Sequence, residues 1–203
     1  MIGLVNIGIG NYNSLISALK KINVTFKICE VANDFENVDK IIIPGVGAFG
    51  EFIEKLKTRK IDKVIKDSFA KNIPILGICV GMQIMFSKSY EQGNYKGLDI
   101  IRGNFRSLNT LTKDIIVPHV GWNECQILKK TELFHGIKNY SDFYFNHSYF
   151  LDKFENQDLI ASTNYGNKIP SILQKKKLYT VQFHPEKSQV NGLKLLKNFI
   201  ERC

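Results

Sequence analysis

Apolar residues along this chain gather into short unbroken runs that alternate with helical stripes. Ile2–Ile7 is interrupted only by Gly3 and Asn6, the pattern of a strand covered on both faces, and Gly8, Gly10 and Asn11 follow it as a turn. A helix is predicted from Asn13 or Ser14, with Leu15, Ile16, Ala18, Leu19 and Ile22 on its inner face. Phe26–Val31 and Lys40–Ile43 read as the second and third strands, after which Pro44-Gly45-Val46-Gly47 forces a tight loop. Helical spacing runs from Glu51 to Ala70, in one piece or two. Pro74–Ile78 is a fourth apolar strand, with a helix predicted behind it over Gly81–Lys88. From Leu98 to Gln182 the segments are shorter and strand-like, with turn residues between them. A last helix spans Gln189–Glu201 and is expected to bury Leu193, Leu196 and Ile200.

Strand, turn and helix in this order imply right-handed crossovers and a parallel sheet covered on both faces. The later half adds an antiparallel extension, so the fold class is α/β. With 203 residues, 44% of them hydrophobic, the chain is long enough for one domain with a full core, expected over residues 1–203. No run reaches the roughly eighteen apolar residues of a membrane span. Met1–Ile9 lacks a basic n-region and a cleavage site, which predicts a buried strand and a cytosolic protein.

Charge and metal chemistry narrow the field. The net charge is +9, but only four of the 28 basic residues are arginines, the side chain that best reads phosphates and bases. Scattered solvated lysines, with the run Lys175–Lys177 at a strand edge or turn, argue against nucleic acid as the partner. Cys29, Cys79, Cys125 and Cys203 form no CxxC pair, and His119, His135, His147 and His184 lack ligand spacing. No metal, no disulfide framework and no cofactor are expected.

The strongest local signal is Gly77-Ile78-Cys79-Val80-Gly81. A nucleophile between a buried strand and a helix, with a glycine two residues to either side, is a sharp elbow in which backbones approach too closely for Cβ atoms. A helix start behind Cys79 favours its thiolate, and N–H groups beginning with that of Val80 suit an oxyanion. A lone buried cysteine is otherwise a small core residue; the flanking glycines favour the nucleophile. Near the far end, Tyr179–Glu186 delivers His184 on a strand that Pro185 stops, with Glu186 placed to accept the imidazole N–H. Together these are nucleophile, base and orienter, the set that acyl transfer requires. Pro44–Gly47 offers backbone donors at the same sheet edge, although a plain turn would use the same residues.

These motifs identify a resemblance. The segments Gly8–Ser14, Pro44–Gly50, Gly77–Gln83, Pro118–Glu124, Asn146–Tyr149 and Gln182–Ser188 resemble, in order, those of the class I (triad) glutamine amidotransferases. They are most similar to the glutaminase-subunit type of imidazole glycerol phosphate synthase. Relatives acting in anthranilate and p-aminobenzoate synthesis show a PGPG loop and a histidine where Met82 stands. The resemblance implies a flavodoxin-like fold and a catalytic triad of Cys79, His184 and Glu186. It implies an oxyanion hole from the backbone of Val46, Gly47 and Val80. Gln83, Glu91, His147, Ser148 and Tyr149 would hold glutamine, Glu91 at its α-ammonium; the bland alternative for Glu91 is a solvated charge. Ammonia would pass to a (β/α)₈-barrel cyclase docked over Asn11, Trp122 and Lys187. Trp122 reads equally as a core anchor, and His119 is equally ambiguous. Asn6-Ile7-Gly8 replaces the commoner Asp-Tyr-Gly, and Phe145-Asn146 replaces a commoner valine. Those departures leave room for a paralogue feeding an acetamidino-sugar synthase. A silent binding module is opposed by the intact triad, and a thiol protein with histidine directly after its elbow cysteine is opposed by Val80.

Overall fold

The computed structural model describes residues 1–9, 12–112 and 115–203. The predicted turn residues Gly10 and Asn11 lie outside them, and with Asn11 one of the expected docking residues. Strand β1 (Ile2–Val5) is buried throughout, as its apolar run requires. Helix α1 (Tyr12–Lys21) buries Leu15, Ala18 and Leu19, with Ile16 and, just past its end, Ile22 packed at the core's margin. Strands β2 (Phe26–Cys29) and β3 (Lys40–Ile43) precede helices α2 (Phe49–Thr58) and α3 (Ile61–Ala70), and β4 (Ile75–Ile78) follows them. The helical stretch is thus in two pieces, parted where Lys60 takes a left-handed φ of 59°.

The helix expected over Gly81–Lys88 is not formed. Helix α4 (Val80–Gln83) lasts one turn, and strand β5 (Phe86–Ser89) begins where the helix was expected to continue. Residues 81–86 are all buried, so their periodicity cannot separate helix from strand, and pairing decides. β5 pairs with β6 (Tyr95–Lys96) and β7 (Ile101–Ser107), and β10 (Tyr149–Asp152) completes a second, four-stranded sheet in the order β10-β7-β5-β6.

The main sheet is completed by β8 (His119–Ile127), β9 (Ser141–His147), β11 (Leu159–Tyr165), β12 (Asn167–Lys175) and β13 (Leu178–Val181). Its nine strands run β2-β1-β3-β4-β13-β12-β11-β8-β9. From β2 to β13 neighbours are parallel; from β13 to β9 they are antiparallel, the expected extension. The last helix, α5 (Gln189–Arg202), turns a slightly different face inward than its pattern suggested. Leu195, Leu196 and Phe199 are fully buried, while Leu193 and Ile200 pack at the margin. Gly192 lies on the buried face, where a Cβ would lie 1.9 Å from the Pro185 carbonyl oxygen. Among the described residues no helix is long and apolar enough to cross a membrane.

One consequence of this order positions the site. β3, β4 and β13 are adjacent and parallel, so their carboxyl ends share one edge. Pro44–Gly47 leaves the first, Cys79 the second, and Gln182–His184 the third.

Candidate active site

Cys79 sits at φ 53°, ψ −111°, a backbone conformation that side-chain-bearing residues rarely adopt. Its neighbours hold it there. A Cβ on Gly81 would meet the Ile43 carbonyl oxygen at 1.9 Å, one on Gly77 the Gly81 oxygen at 2.5 Å, and one on Gly45 the Gly81 nitrogen at 2.6 Å. The elbow is therefore pressed against the end of β3 and its loop at two of these places and folded onto itself at the third, each with room only for glycine. Cys79 N–H donates to the Val181 carbonyl at 2.8 Å, tying the elbow to β13 as well. The helix behind the thiol is a single turn, so its dipole is that of one turn and not of the longer helix expected.

Two other cysteines are buried outside the site. Burial pushes Cys29 up to about 11 and Cys125 up to about 12, which keeps them protonated and unreactive.

Strand β13 ends at Val181, short of the expected stop at Pro185, so His184 is carried on the segment just beyond it; it is 1% exposed, and its Nδ1 lies 2.8 Å from Glu186 Oε1. Its Nε2 is buried and makes no hydrogen bond of ordinary geometry, with the Cys79 sulfur as its electrostatic neighbour. Burial alone would lower the His184 pKa. The charge of Cys79 as thiolate, a loose contact to its sulfur, and Glu186 outweigh burial and raise it, so thiolate and imidazolium favour each other. Ser188 locks the histidine's backbone, its hydroxyl donating to the His184 carbonyl at 2.6 Å while accepting from Tyr144 N–H at 2.9 Å.

A cavity of about 290 Å³ opens beside the sulfur, lined among others by Val46, Gly47, Cys79, Val80, Gln83, Glu91, His147, Ser148 and Tyr149. All three expected oxyanion donors and all five expected glutamine contacts thus share one cavity. Gly47 has φ 101°, open to glycine, and among the described residues the N–H groups of Val46, Gly47 and Val80 meet no acceptor.

Glu91 does more than either of its readings allowed. It is half-buried, and its carboxylate accepts the N–H of Phe49 at 2.8 Å. Ala48, at the cap position of α2, has no side chain able to do so. The carboxylate, at the cavity wall, caps α2 and is not a solvated charge. Burial raises its pKa, opposed by that hydrogen bond.

Two functional neighbours escaped sequence reasoning; Gln182 lies in a motif already singled out, and Tyr144 stands two residues before another. Gln182, 1% exposed, directs Nε2 at the Cys79 sulfur from 3.7 Å and accepts from Gln83 Nε2 at 3.5 Å. Tyr144 joins the two described docking candidates, with the Trp122 ring edge-on at 6.0 Å and Lys187 Nζ 5.5 Å above its own ring. Trp122 is 47% exposed, which overturns its reading as a core anchor; Val120, on the same face of β8, is 53% exposed. His119, by contrast, is a buried residue, stacked between Phe145 and Tyr165.

The family described as glutamine amidotransferase class-I matches residues 4–203. The chain belongs to that family. Among curated relatives of this amidotransferase, the imidazole glycerol phosphate synthase subunit HisH of Caldanaerobacter subterraneus subsp. tengcongensis is 43% identical over 201 residues, 99% of this chain and 98% of that protein. The protein of the same name from Methanocaldococcus jannaschii is 41% identical over 206 residues, 99% of each. Solved structures share the amidotransferase fold at lower identity. One titled a glutamine amidotransferase has TM-score 0.77 at 14% identity, covering 98% of this chain and 97% of that one. The structure of PurLQS from Thermotoga maritima has TM-score 0.77 at 15% identity, covering 98% of this chain and 96% of that one.

Proposed function

We propose that this amidotransferase is the glutaminase subunit of imidazole glycerol phosphate synthase. In this reading it hydrolyses L-glutamine at Cys79 and passes ammonia to a separate (β/α)₈-barrel cyclase in histidine biosynthesis. The observation that carries the chemistry is the strained Cys79 with the buried His184–Glu186 pair beside it. Full-length relatives named as subunits of that synthase support the pathway.

The Cys79 thiolate attacks the side-chain amide carbon of glutamine, and the carbonyl becomes an oxyanion. N–H groups of Val80 and of the Val46–Gly47 segment stabilise it. The His184 imidazolium protonates the leaving nitrogen, which departs as ammonia and leaves a thioester. Neutral His184 then takes a proton from water, which attacks the thioester through a second oxyanion and releases glutamate. The intermediate collapses and expels the Cys79 thiolate beside the imidazolium that has kept the water proton, restoring the ion pair, and the new γ-carboxyl gives its proton to solvent. Glu186 holds Nδ1–H throughout. Glu91 receives the substrate α-ammonium while capping α2.

The exposed face of Val120, Trp122 and Tyr144 runs along β8 and β9 to Asn146, whose carbonyl oxygen lies 3.8 Å from the Cys79 sulfur. A partner docked there in a cytoplasmic heterodimer lies next to the point of ammonia release. Phe145, the departure from the commoner valine, is fully buried against His119 and Phe183 and belongs to the core, so it carries no sign of a sugar substrate.

The test is glutamine hydrolysis with and without the histidine-pathway cyclase and its nucleotide ligand. If the Val46–Gly47 peptide withholds its donor in the free protein, docking should raise turnover by about 10²–10³. Cys79→Ala should abolish hydrolysis while the complex still uses added ammonium. Activation by a sugar-amidinating synthase and not by this cyclase would refute the pathway.

A further inference from the structure

Behind the cavity, two buried histidines stand in a line of hydrogen bonds that the reaction does not use. His147 Nδ1 lies 2.8 Å from the Tyr149 carbonyl oxygen, His119 Nδ1 lies 3.0 Å from His147 Nε2, and Asn123 Nδ2 lies 3.2 Å from His119 Nε2. A carbonyl oxygen can only accept, so His147 Nδ1 carries a proton. Burial keeps both rings neutral, pushing His119 down to about 4 and His147 to about 3. Each ring then holds one proton. His147 Nε2 is bare and accepts from His119 Nδ1–H, and His119 Nε2 is bare in turn and accepts from the Asn123 amide. A single assignment satisfies every atom in the line, with both rings as the Nδ1–H tautomer.

The line is anchored at its outer end and delivers its constraint at the inner one. Asn123 Nδ2 also donates to the Asn164 carbonyl at 3.0 Å. The His119 ring is stacked on Tyr165 at 3.8 Å and on Phe145 at 4.7 Å, within 20° of parallel to each. His147 and Tyr149 line the cavity, whereas His119 and Asn123 do not.

We propose that His119 is a positioning residue for glutamine: its Nδ1–H holds the His147 ring by Nε2, which keeps the His147 Nδ1–H on the Tyr149 carbonyl and so shapes the Ser148–Tyr149 rim of the cavity. The inference rests on the reading of that cavity as the glutamine site. Without the donor, His147 Nε2 is a buried acceptor with no partner. The Nε2 atom regains a partner only if the ring turns from its present place, and that turn loosens its hydrogen bond to the Tyr149 carbonyl.

Two measurements on the full chain test it. Nitrogen-15 NMR of histidine-labelled wild type should show His119 and His147 both as Nδ1–H tautomers; an Nε2–H form of either overturns the line, whatever any variant does. His119→Phe keeps a ring between Phe145 and Tyr165 but removes the donor, and should raise KM for glutamine about 10-fold with kcat little changed. His119→Asn, whose amide stands near the Nδ1 position, should recover most of that loss. Glu91→Gln serves as the reference. If it raises KM while a folded His119→Phe does not, the positioning role is refuted and the glutamine site stands. If neither raises KM, the site assignment falls, and the proposal with it.

Discussion

Gly81→Ala probes the physical basis of the elbow without touching a reacting group. The added Cβ would lie 1.9 Å from the Ile43 carbonyl oxygen, where ordinary contact begins at 3.4 Å, so about 1.5 Å of separation must be found (3.4 − 1.9). Ile43 cannot supply it, because β3 is held between β1 and β4 in the middle of the parallel segment. The movement falls on Val80 and Cys79. A misplacement of about 1 Å costs on the order of 10² in rate. Loss of the Val80 donor costs a further 10²–10³ or so. Overpacking removes about 1–3 kcal/mol of stability, which leaves a typical domain folded. The expected result is a folded protein whose kcat for glutamine falls at least about 100-fold. Ammonia release coupled to glutamate dehydrogenase measures the rate, and urea unfolding the stability. Gly45→Ala should behave alike, with its Cβ 2.6 Å from the Gly81 nitrogen. A folded Gly81→Ala enzyme within about threefold of wild-type turnover refutes the elbow argument.

His184→Ala should lower kcat by about 10³ or more and Glu186→Gln by less, since the amide keeps part of the orientation; the reverse ranking in ammonia-release assays contradicts the assigned roles. Gln182→Leu removes the amide beside the sulfur and should slow iodoacetamide labelling of Cys79 at pH 7 by roughly tenfold, a loss read directly by mass spectrometry. Glu91→Gln should raise KM about 10-fold yet keep α2 capped through its carbonyl oxygen, whereas Glu91→Ala should also lose about 1 kcal/mol in urea unfolding. His119 and His147, depressed below the ordinary 6.5 to about 4 and about 3, bind protons more readily in the unfolded chain. Their stabilisation is present above pH 6.5 and lost as pH falls toward those values, about 2 kcal/mol per ring by pH 5. His184, shifted upward, keeps its contribution across that window and loses it only as pH rises through its folded value. Urea midpoints equal at pH 7 and pH 5 would show that the two buried rings are not neutral.

Sequence patterns revealed most where one physical demand dominated. Strands β1, β3 and β4 are buried on both faces, and so they read as unbroken apolar runs. Gly77 and Gly81 announced the elbow because nothing larger fits where Gly81 meets Ile43 and where Gly77 meets Gly81. The same logic failed for Phe86–Ser89, since a run buried on every side carries no period and its partners on β7 lie in a later stretch of chain. Gln182 was visible as a letter in a motif, but its place beneath the Cys79 sulfur depends on β13 lying beside β4. Glu91 was foreseen as a ligand and not as a cap, because the helix end it serves is 42 residues earlier in the chain. Trp122 stayed ambiguous for a similar reason: whether a tryptophan on an antiparallel strand faces core or solvent depends on its register with β9, which pairs it with Tyr144.

The insertion of β13 beside β4 also bears on how the enzyme comes into being. Leu178–Val181 pairs with Ile75–Ile78, joining stretches about a hundred residues apart in the chain. During synthesis Cys79 therefore leaves the ribosome long before His184, and for that interval the thiol has no base and no tie to Val181. A nascent or truncated chain carries the nucleophile but cannot hydrolyse glutamine. Catalytic competence arrives with one of the last strands to be made, and so coincides with completion of the sheet.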